Sequence, residues 1–490
     1  MDTVSQSPAT RRFRAPRLAG WWEGPCGLAE LIGLALPLVV SMLAFALNQF
    51  FDRLYLTWYS SVAVAAVVPS GALAWVASSF PLGLAMYTTA FVAQYYGSGN
   101  YRKIGQVVWH TLYFAAATIP AFIVIGWFAT PIFAWFAHAP EMQAGETVYF
   151  RILTYGLGTG IAAEALSSFF IGTGKTSRVM WVNLASVAVN IVLDYVMIFG
   201  KFGCPEMGIA GAAWATTIAA WFKLAVLAAM AFEPHQAVRY GLTSGWRFSL
   251  PMIGRLLRYG APQGVHFFLE GGAITIFIIL MGGISVTASA ATAIAFSVNM
   301  VAFVPLIGLG IGLTTLVGRE IGRQQIPLAR RATRSALVLG TAYALMFALL
   351  YYFAPTLFVG VHEWNSSHTK PEIVTARWLL QFVALYCIFD SFQILFQAAI
   401  KGAGDTLYVL LVSVISSTLF VTVGYLGAGY FAGENAKLTW WWWCLTIWIL
   451  GLTITYLLRY LGGKWTRMSV IEPELVSGTR HDPFSAAVEP

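Results

Sequence analysis

Five carboxylates stand inside stretches otherwise too apolar to solvate them: Asp52, Glu164, Asp194, Glu270 and Asp390. Placing such a group in hydrocarbon costs at least about 2.5 to 3.5 kcal/mol on insertion scales, so each one is a functional candidate by default. Four of them follow a polar residue by one helical turn, on the same face: Asn48 before Asp52, Asn190 before Asp194, His266 before Glu270 and Tyr386 before Asp390. Thr216, in the next apolar stretch, could approach the Asn190 and Asp194 pair. A carboxylate with oxygen ligands at this spacing can hold a sodium ion, either at Glu270 and Asp390 or at Asp52 and Asp194. A desolvated carboxyl can equally carry a proton. The plainer reading of each group is an interhelical hydrogen bond or ion pair. Asn48, Glu164 and His266 are candidates for cleft lining or proton relay, although a lone histidine is more often simply buried and hydrogen bonded. Arg53 lies beside Asp52 in sequence but points elsewhere on a helix, as a snorkelling or cleft-lining cation.

The elements that must position these residues are membrane helices. Of 490 residues, 58% are hydrophobic and 10% charged, with a mean hydropathy of +0.70. A soluble domain carries roughly 25% charged residues because its surface needs water. Since about 20 apolar residues cross the hydrocarbon core, the chain divides into about twelve spans. They start near Leu28, Val64, Gln106, Val148, Val179 and Gly208, then near Tyr259, Ala288, Ser335, Ile373, Tyr408 and Trp440. The expected organisation is an N-terminal tail (1–27), a first six-helix lobe (28–232), a linker (233–258), a second lobe (259–461) and a C-terminal tail (462–490), polar and disordered from about Ser469. No cleavable signal peptide is expected, because the first apolar run is long enough to span. The run Trp440 to Trp443 is expected to anchor the last helix at an aromatic belt. Cys26, Cys204, Cys387 and Cys444 show no paired spacing and read as packing residues.

The net charge of +8 is a record of topology. With alternating spans, most of the 29 Lys and Arg fall on one side, while the other holds only Lys201, Lys370, Arg377 and Lys437. The positive-inside rule then puts both termini in the cytoplasm of a cell-membrane protein, and no nucleic-acid partner is expected.

The two halves repeat at an offset of 225 to 230 residues. Pro37 matches Pro262, Phe80-Pro81-Leu82 matches Val304-Pro305-Leu306, and Gly172-Thr173-Gly174-Lys175-Thr176 matches Gly402-Ala403-Gly404-Asp405-Thr406. Six spans per unit give both halves the same orientation, related by a pseudo-two-fold axis along the membrane normal with a cleft between them. The carboxylates do not repeat: Asp52 falls opposite Phe277, Glu270 opposite Phe45, Asp390 opposite Gly160 and Asp194 opposite Gly424. Structural glue would have been duplicated with the scaffold, so the asymmetry favours function. Gly174-Lys175-Thr176 imitates the end of a phosphate-binding loop, but position 169 is Phe where that motif needs Gly, and no strand precedes it.

At these residues the chain resembles the multidrug and toxic compound extrusion (MATE) transporters, from about Leu31 to Leu461. The likeness rests on Pro37 followed by Asp52, on Asn190-Ile-Val-Leu-Asp194, and on Gly208-Ile-Ala-Gly-Ala-Ala-Trp-Ala-Thr216. It continues with Pro262 leading to Phe267-Phe268-Leu269-Glu270, as in the NorM-type branch, and with Asp390 ahead of the Gly-x-Gly turn. Arg53, Glu164 and His266 depart from the common pattern. The resemblance implies a twelve-helix exporter of cationic or aromatic compounds, driven by H+ or Na+ entry and needing no other cofactor. It implies an N-lobe cation site of Asp52, Asn190, Asp194 and Thr216, and a C-lobe site of Glu270 and Asp390 with Tyr386. Pro37 and Pro262 are the candidate hinges for rocking between two access states. A monomer embedded in the bilayer is expected. A lipid-linked oligosaccharide flippase would need a strongly cationic cavity, whereas carboxylates outnumber cations in these spans. A polytopic membrane enzyme would need catalytic loops longer than those present, and of the histidines only His110 and His266 lie within spans.

Overall fold

The computed structural model describes residues 22–136, 138–360 and 371–472. The basic cluster at Arg11 to Arg17, Lys370, Arg480 and the tail beyond residue 472 lie outside the described residues, as does most of the first segment; of the tail expected to be disordered from about Ser469, residues 469–472 are instead ordered against Gln94 and its neighbours. Among the described residues, twelve long helices, labelled here α1 to α12, form the fold. They are α1 (Leu28–Tyr59), α2 (Ser61–Gly97), α3 (Tyr101–Trp127), α4 (Pro140–Gly172), α5 (Thr176–Phe199) and α6 (Ile209–Ala231). The second half contributes α7 (Leu250–Gly282), α8 (Val286–Gly322), α9 (Ile326–Phe353), α10 (Pro371–Ala403), α11 (Thr406–Ala428) and α12 (Glu434–Leu461). Among the described residues, eleven are long and apolar enough to cross a membrane. The other is α4, whose 33 residues include Glu141, Glu146, Arg151 and Glu164.

Several helices begin well before their apolar cores. The seventh starts at Leu250 rather than near Tyr259, so part of the expected linker is helical, and α9 starts at Ile326 rather than near Ser335. Backbone hydrogen bonding continues through a polar turn that hydropathy reads as loop, because at a membrane surface the turn's side chains can still reach water. The tryptophan run also corrects the sequence reading. Trp441 and Trp442 are buried and pack on Phe277, with Trp442 also stacked on Phe296. Half the run is core, and a belt at the surface is left to Trp443.

Helix packing repeats between halves. In the first, α1 packs on α5, α2 on α4, α3 on α4, and α6 on α4 and α5; the second repeats each pairing six helices later. The turns after α4 and α10 also correspond, with Gly174 at φ +80° and Gly404 at φ +112° reversing the chain in the left-handed region. Lys175 in the first turn donates to Gln236 Oε1 at 2.8 Å, and Asp405 in the second accepts from Arg459 Nε at 2.7 Å. Both side chains are engaged in holding their own lobes.

The lobes meet through α1 and α2 on one side and α7 and α8 on the other. Small residues allow the approach, as expected where no hydrophobic force drives helices together in lipid. Gly83 of α2 faces Gly264 of α7, while Gly308 and Gly312 of α8 face Val39 and Ala35 of α1. Contact is closest at the Arg- and Lys-rich end. There a Cβ on Gly97 would overlap the Arg319 carbonyl, and a Cβ on Gly322 would overlap the Gln94 carbonyl. These two contacts exchange under the 225-residue offset, so the pseudo-two-fold axis passes between them.

That end carries a polar seam. Arg319 Nη2 of α8 meets Glu30 Oε1 of α1 at 2.6 Å, and Gln94 Nε2 of α2 donates to Gly402 O at 2.9 Å. Beyond α12, residues 462–472 return as a strap. Gln94 Oε1 accepts from Ser469 Oγ at 2.8 Å and from Val470 N at 2.9 Å, and Val470 and Ile471 are buried. Glu472 then takes Arg255 Nη2 at 2.6 Å, Tyr95 Oη at 2.7 Å and Lys103 Nζ at 3.4 Å. Chiefly these donors hold the Glu472 carboxyl, against its burial, down at about 2.

Candidate functional site

The first-half carboxylates converge although they come from helices 142 residues apart in sequence numbering, Asp52 on α1 and Asp194 on α5. Both are buried, and the two carboxyls lie in hydrogen-bonding contact. Asn190 sits at the centre. With its amide nitrogen turned to the carboxylates, its two N–H groups have Asp52 Oδ1 at 3.0 Å, Asp194 Oδ2 at 3.1 Å and Asn48 Oδ1 at 2.7 Å within hydrogen-bonding reach. Its oxygen then accepts from Thr216 N at 3.1 Å. Asn48 Nδ2 donates to Asp52 Oδ2 at 3.3 Å, and Asp194 Oδ1 is buried without a partner. Two carboxyls in contact inside a bundle cannot both stay anionic without a cation between them or a proton on one.

This arrangement follows from local sequence. Asn48 and Asp52, and Asn190 and Asp194, are one turn apart on their helices, so each pair shares a face. The packing of α1 on α5 brings the two faces together, and α6 closes the cluster with Thr216. Tyr149 of α4, which the sequence did not single out, is buried and interacts with both carboxylates. Arg53 is exposed and acts on Asp52 only electrostatically. Glu164 is not part of this cluster and interacts instead with Lys223 of α6.

The second-half residues form a looser group. Glu270 keeps 37% of its side chain exposed, whereas Asp390 is 9% exposed and Tyr386 1%. Glu270 and Asp390 interact electrostatically, and the Tyr386 hydroxyl, beside Asp390, has no partner. His266 is buried, with Nδ1 3.7 Å from Glu270 Oε2 and Nε2 3.1 Å from Gln397 Nε2. Lys401 stands in the last turn of α10, half-buried, donating to Gln397 Oε1 at 2.8 Å. Gln397, Lys401 and Tyr456, whose hydroxyl lies 3.5 Å from Gln397 Nε2, carried no signal in the sequence beyond the four-residue spacing of Gln397 and Lys401.

Pro37 is buried inside α1, two residues from the Val39 that meets Gly308 of the opposite lobe, and Pro262 lies inside α7 next to the Gly264 contact. Both prolines sit inside a continuous helix, close to where it packs on the other lobe. Trp75 of α2 and Phe267 of α7 also face across the interface, ring centroids 5.4 Å apart.

Comparison with known proteins places these observations among transporters. The sequence profile of the MatE family matches residues 37–196 and again 262–426. The two matches begin at the paired prolines. A probable multidrug resistance protein NorM from Bradyrhizobium diazoefficiens is 30% identical, the match covering 81% of this chain and 84% of that protein. The multidrug resistance protein PmpM of Pseudomonas aeruginosa is 28% identical, with 84% and 85% covered. Among solved structures, a mutant of the Vibrio cholerae MATE transporter VcmN superposes with a TM-score of 0.80 at 18% identity, over 90% of this chain and 98% of that one. An outward-facing multidrug resistance MATE transporter superposes with a TM-score of 0.78 at 18% identity, over 92% and 97%.

Proposed function

The chain belongs to the MatE family, and from that premise we propose that it is a secondary active exporter of cationic and aromatic organic compounds, exchanging them for H+ or Na+ by alternating access. The observation that carries this reading is the Asp52–Asn190–Asp194 cluster: two buried carboxyls in contact, ringed by donors, in a lobe whose structural repeat has neither. A ligand moves a conformational equilibrium only through its different affinity for the two states. The cluster joins α1 to α5, and α1 is also a wall of the inter-lobe seam. A cation that neutralises the pair therefore bears on α1, and Pro37, which leaves a backbone hydrogen bond of that continuous helix unmade, is where its two ends can respond separately.

With the Asn190 amide turned nitrogen-inward, Asn48 and Asn190 both donate to the carboxylates, which suits a shared proton; turned oxygen-inward, Asn190 adds an oxygen ligand for a sodium ion. The Arg- and Lys-rich end, where the lobes touch, is on this reading the cytoplasmic face, and the described conformation is closed to the cytoplasm. Substrate enters between the lobes along surfaces that include Trp75 and Phe267, whose faces suit cationic and aromatic compounds.

The test is efflux of a fluorescent organic cation from proteoliposomes under an imposed proton gradient and, separately, an imposed sodium gradient, with wild type, Asp52→Asn and Glu270→Gln. Efflux under one gradient that is abolished by a substitution identifies both the ion and the coupling lobe. No efflux under either gradient from folded, inserted protein overturns the reading.

A further inference from the structure

We propose that Lys401 and Gln397 are positioning residues that fix the tautomer of His266, so that a proton on Nδ1 is always turned toward Glu270. The inference rests on hydrogen-bond direction alone. An ammonium group only donates, so the Gln397 oxygen must face Lys401 Nζ, 2.8 Å away. The Gln397 nitrogen is then turned to His266 Nε2 at 3.1 Å, and an amide nitrogen also only donates. His266 Nε2 must accept, which leaves it without a proton and puts the proton of the neutral ring on Nδ1. Nδ1 is buried, has no hydrogen-bond partner, and lies 3.7 Å from Glu270 Oε2. The donor thus lies beside the carboxylate and short of a hydrogen bond to it, a gap that a small side-chain rotation closes.

The arrangement gives the C-lobe carboxylate a fixed N–H donor instead of a free ring that could present a lone pair. It also ties that donor to the lobe interface. The main-chain oxygen of Lys401 accepts from Tyr87 Oη of α2 at 2.9 Å, and the next residue's carbonyl accepts from Gln94. Separating the lobes at this end breaks both bonds and frees the turn that carries Lys401. Release of the ammonium lets the Gln397 amide rotate, and a rotated amide, presenting its oxygen to Nε2, removes the constraint that keeps the ring proton on Nδ1. The titratable groups that act on Glu270 besides His266 are Asp390 and Lys401 of α10 and Tyr456 of α12. The hydroxyl of Tyr456 lies 3.3 Å from Ser413 Oγ of α11, and α2 presents Trp75 and Phe80 to this stretch of α7. The relay rests on reading Glu270 as a coupling carboxylate, but its test uses no transport.

The experiment is 15N NMR of the full-length protein, labelled at histidine, with the His266 signals assigned by their loss in His266→Gln. The expected wild-type pattern is a protonated, pyrrole-type Nδ1 and a bare, pyridine-type Nε2. Lys401→Met, and independently Gln397→Met, are expected to lose the Nδ1 proton preference, while Lys401→Arg, which still only donates, keeps it. A wild-type ring protonated at Nε2, or an Nδ1 proton unchanged in both methionine variants, overturns the proposal. If the pattern appears as expected in a protein that shows no efflux, the relay stands and the exporter reading falls.

Discussion

At the scale of single residues, the informative feature is that Asn190 bonds to both carboxyls at once. Groups that share one proton or one ion titrate and function as a pair, so their separate substitutions should not add. Asp52→Asn, Asp194→Asn and the double variant are therefore expected to lose coupled efflux to the same extent, within about a factor of three, rather than multiplicatively. Fully multiplicative losses would mean two independent sites. The sequence made half of this cluster legible, because four-residue spacing says which side chains share a helix face. Spacing alone does not say which other helix that face meets; the resemblance is what set Asp52 beside Asn190, Asp194 and Thr216. Tyr149, Gln397 and Tyr456 went unnoticed for that reason, being neutral side chains ordinary in a membrane helix until a neighbour's packing sets them against a carboxylate. Glu164 shows the converse, an intramembrane acid whose partner is Lys223 rather than the cluster.

At the scale of elements, the strap after α12 behaves as a tie between lobes that hydropathy could not reveal. Its sequence is polar and short, and reads as a tail, yet Gln94, Arg255, Tyr95 and Lys103 supply it with a complete set of partners. Glu472→Gln keeps the shape and removes the charge. Hydrogen bonds to a charged group contribute about 1.5 to 3 kcal/mol, and partial solvent exposure places this one at the low end. The substitution is expected to speed amide exchange in the strap and at the last turn of α2 by roughly tenfold at neutral pH. Because the folded carboxyl is held at about 2, below its unfolded value of about 4.3, its contribution is present above that unfolded value. It is lost as pH falls from about 4 through about 2. The variant and wild type should thus converge only at the acidic end of that window; equal exchange at neutral pH would show that the strap is not held by this charge.

The whole molecule shows why the scaffold could be read so far ahead of the site. A two-fold fold writes itself twice in the sequence, and Pro37 with Pro262 or Gly97 with Gly322 can be aligned with no knowledge of contacts. What the offset does not disclose is that the repeated glycines meet across the axis, each seated on the main chain of the other lobe. That geometry makes a specific demand on closure. Any side chain at either position overlaps a backbone carbonyl, of Arg319 in one case and Gln94 in the other, and a packed interface meets such an overlap by separating. The atoms that each added side chain would meet first belong to the other lobe, so the lobes themselves should still form. Gly97→Leu and Gly322→Leu are accordingly expected to hold the Arg- and Lys-rich end apart, each by the same amount because the contacts are symmetric. Spin labels placed across the lobes at that end should report longer distances in both variants, with thermal unfolding close to wild type and efflux lost. If the distances stay as in wild type while efflux is lost, the seam is not the moving part, and the change between access states must be sought within the lobes, at the prolines of α1 and α7.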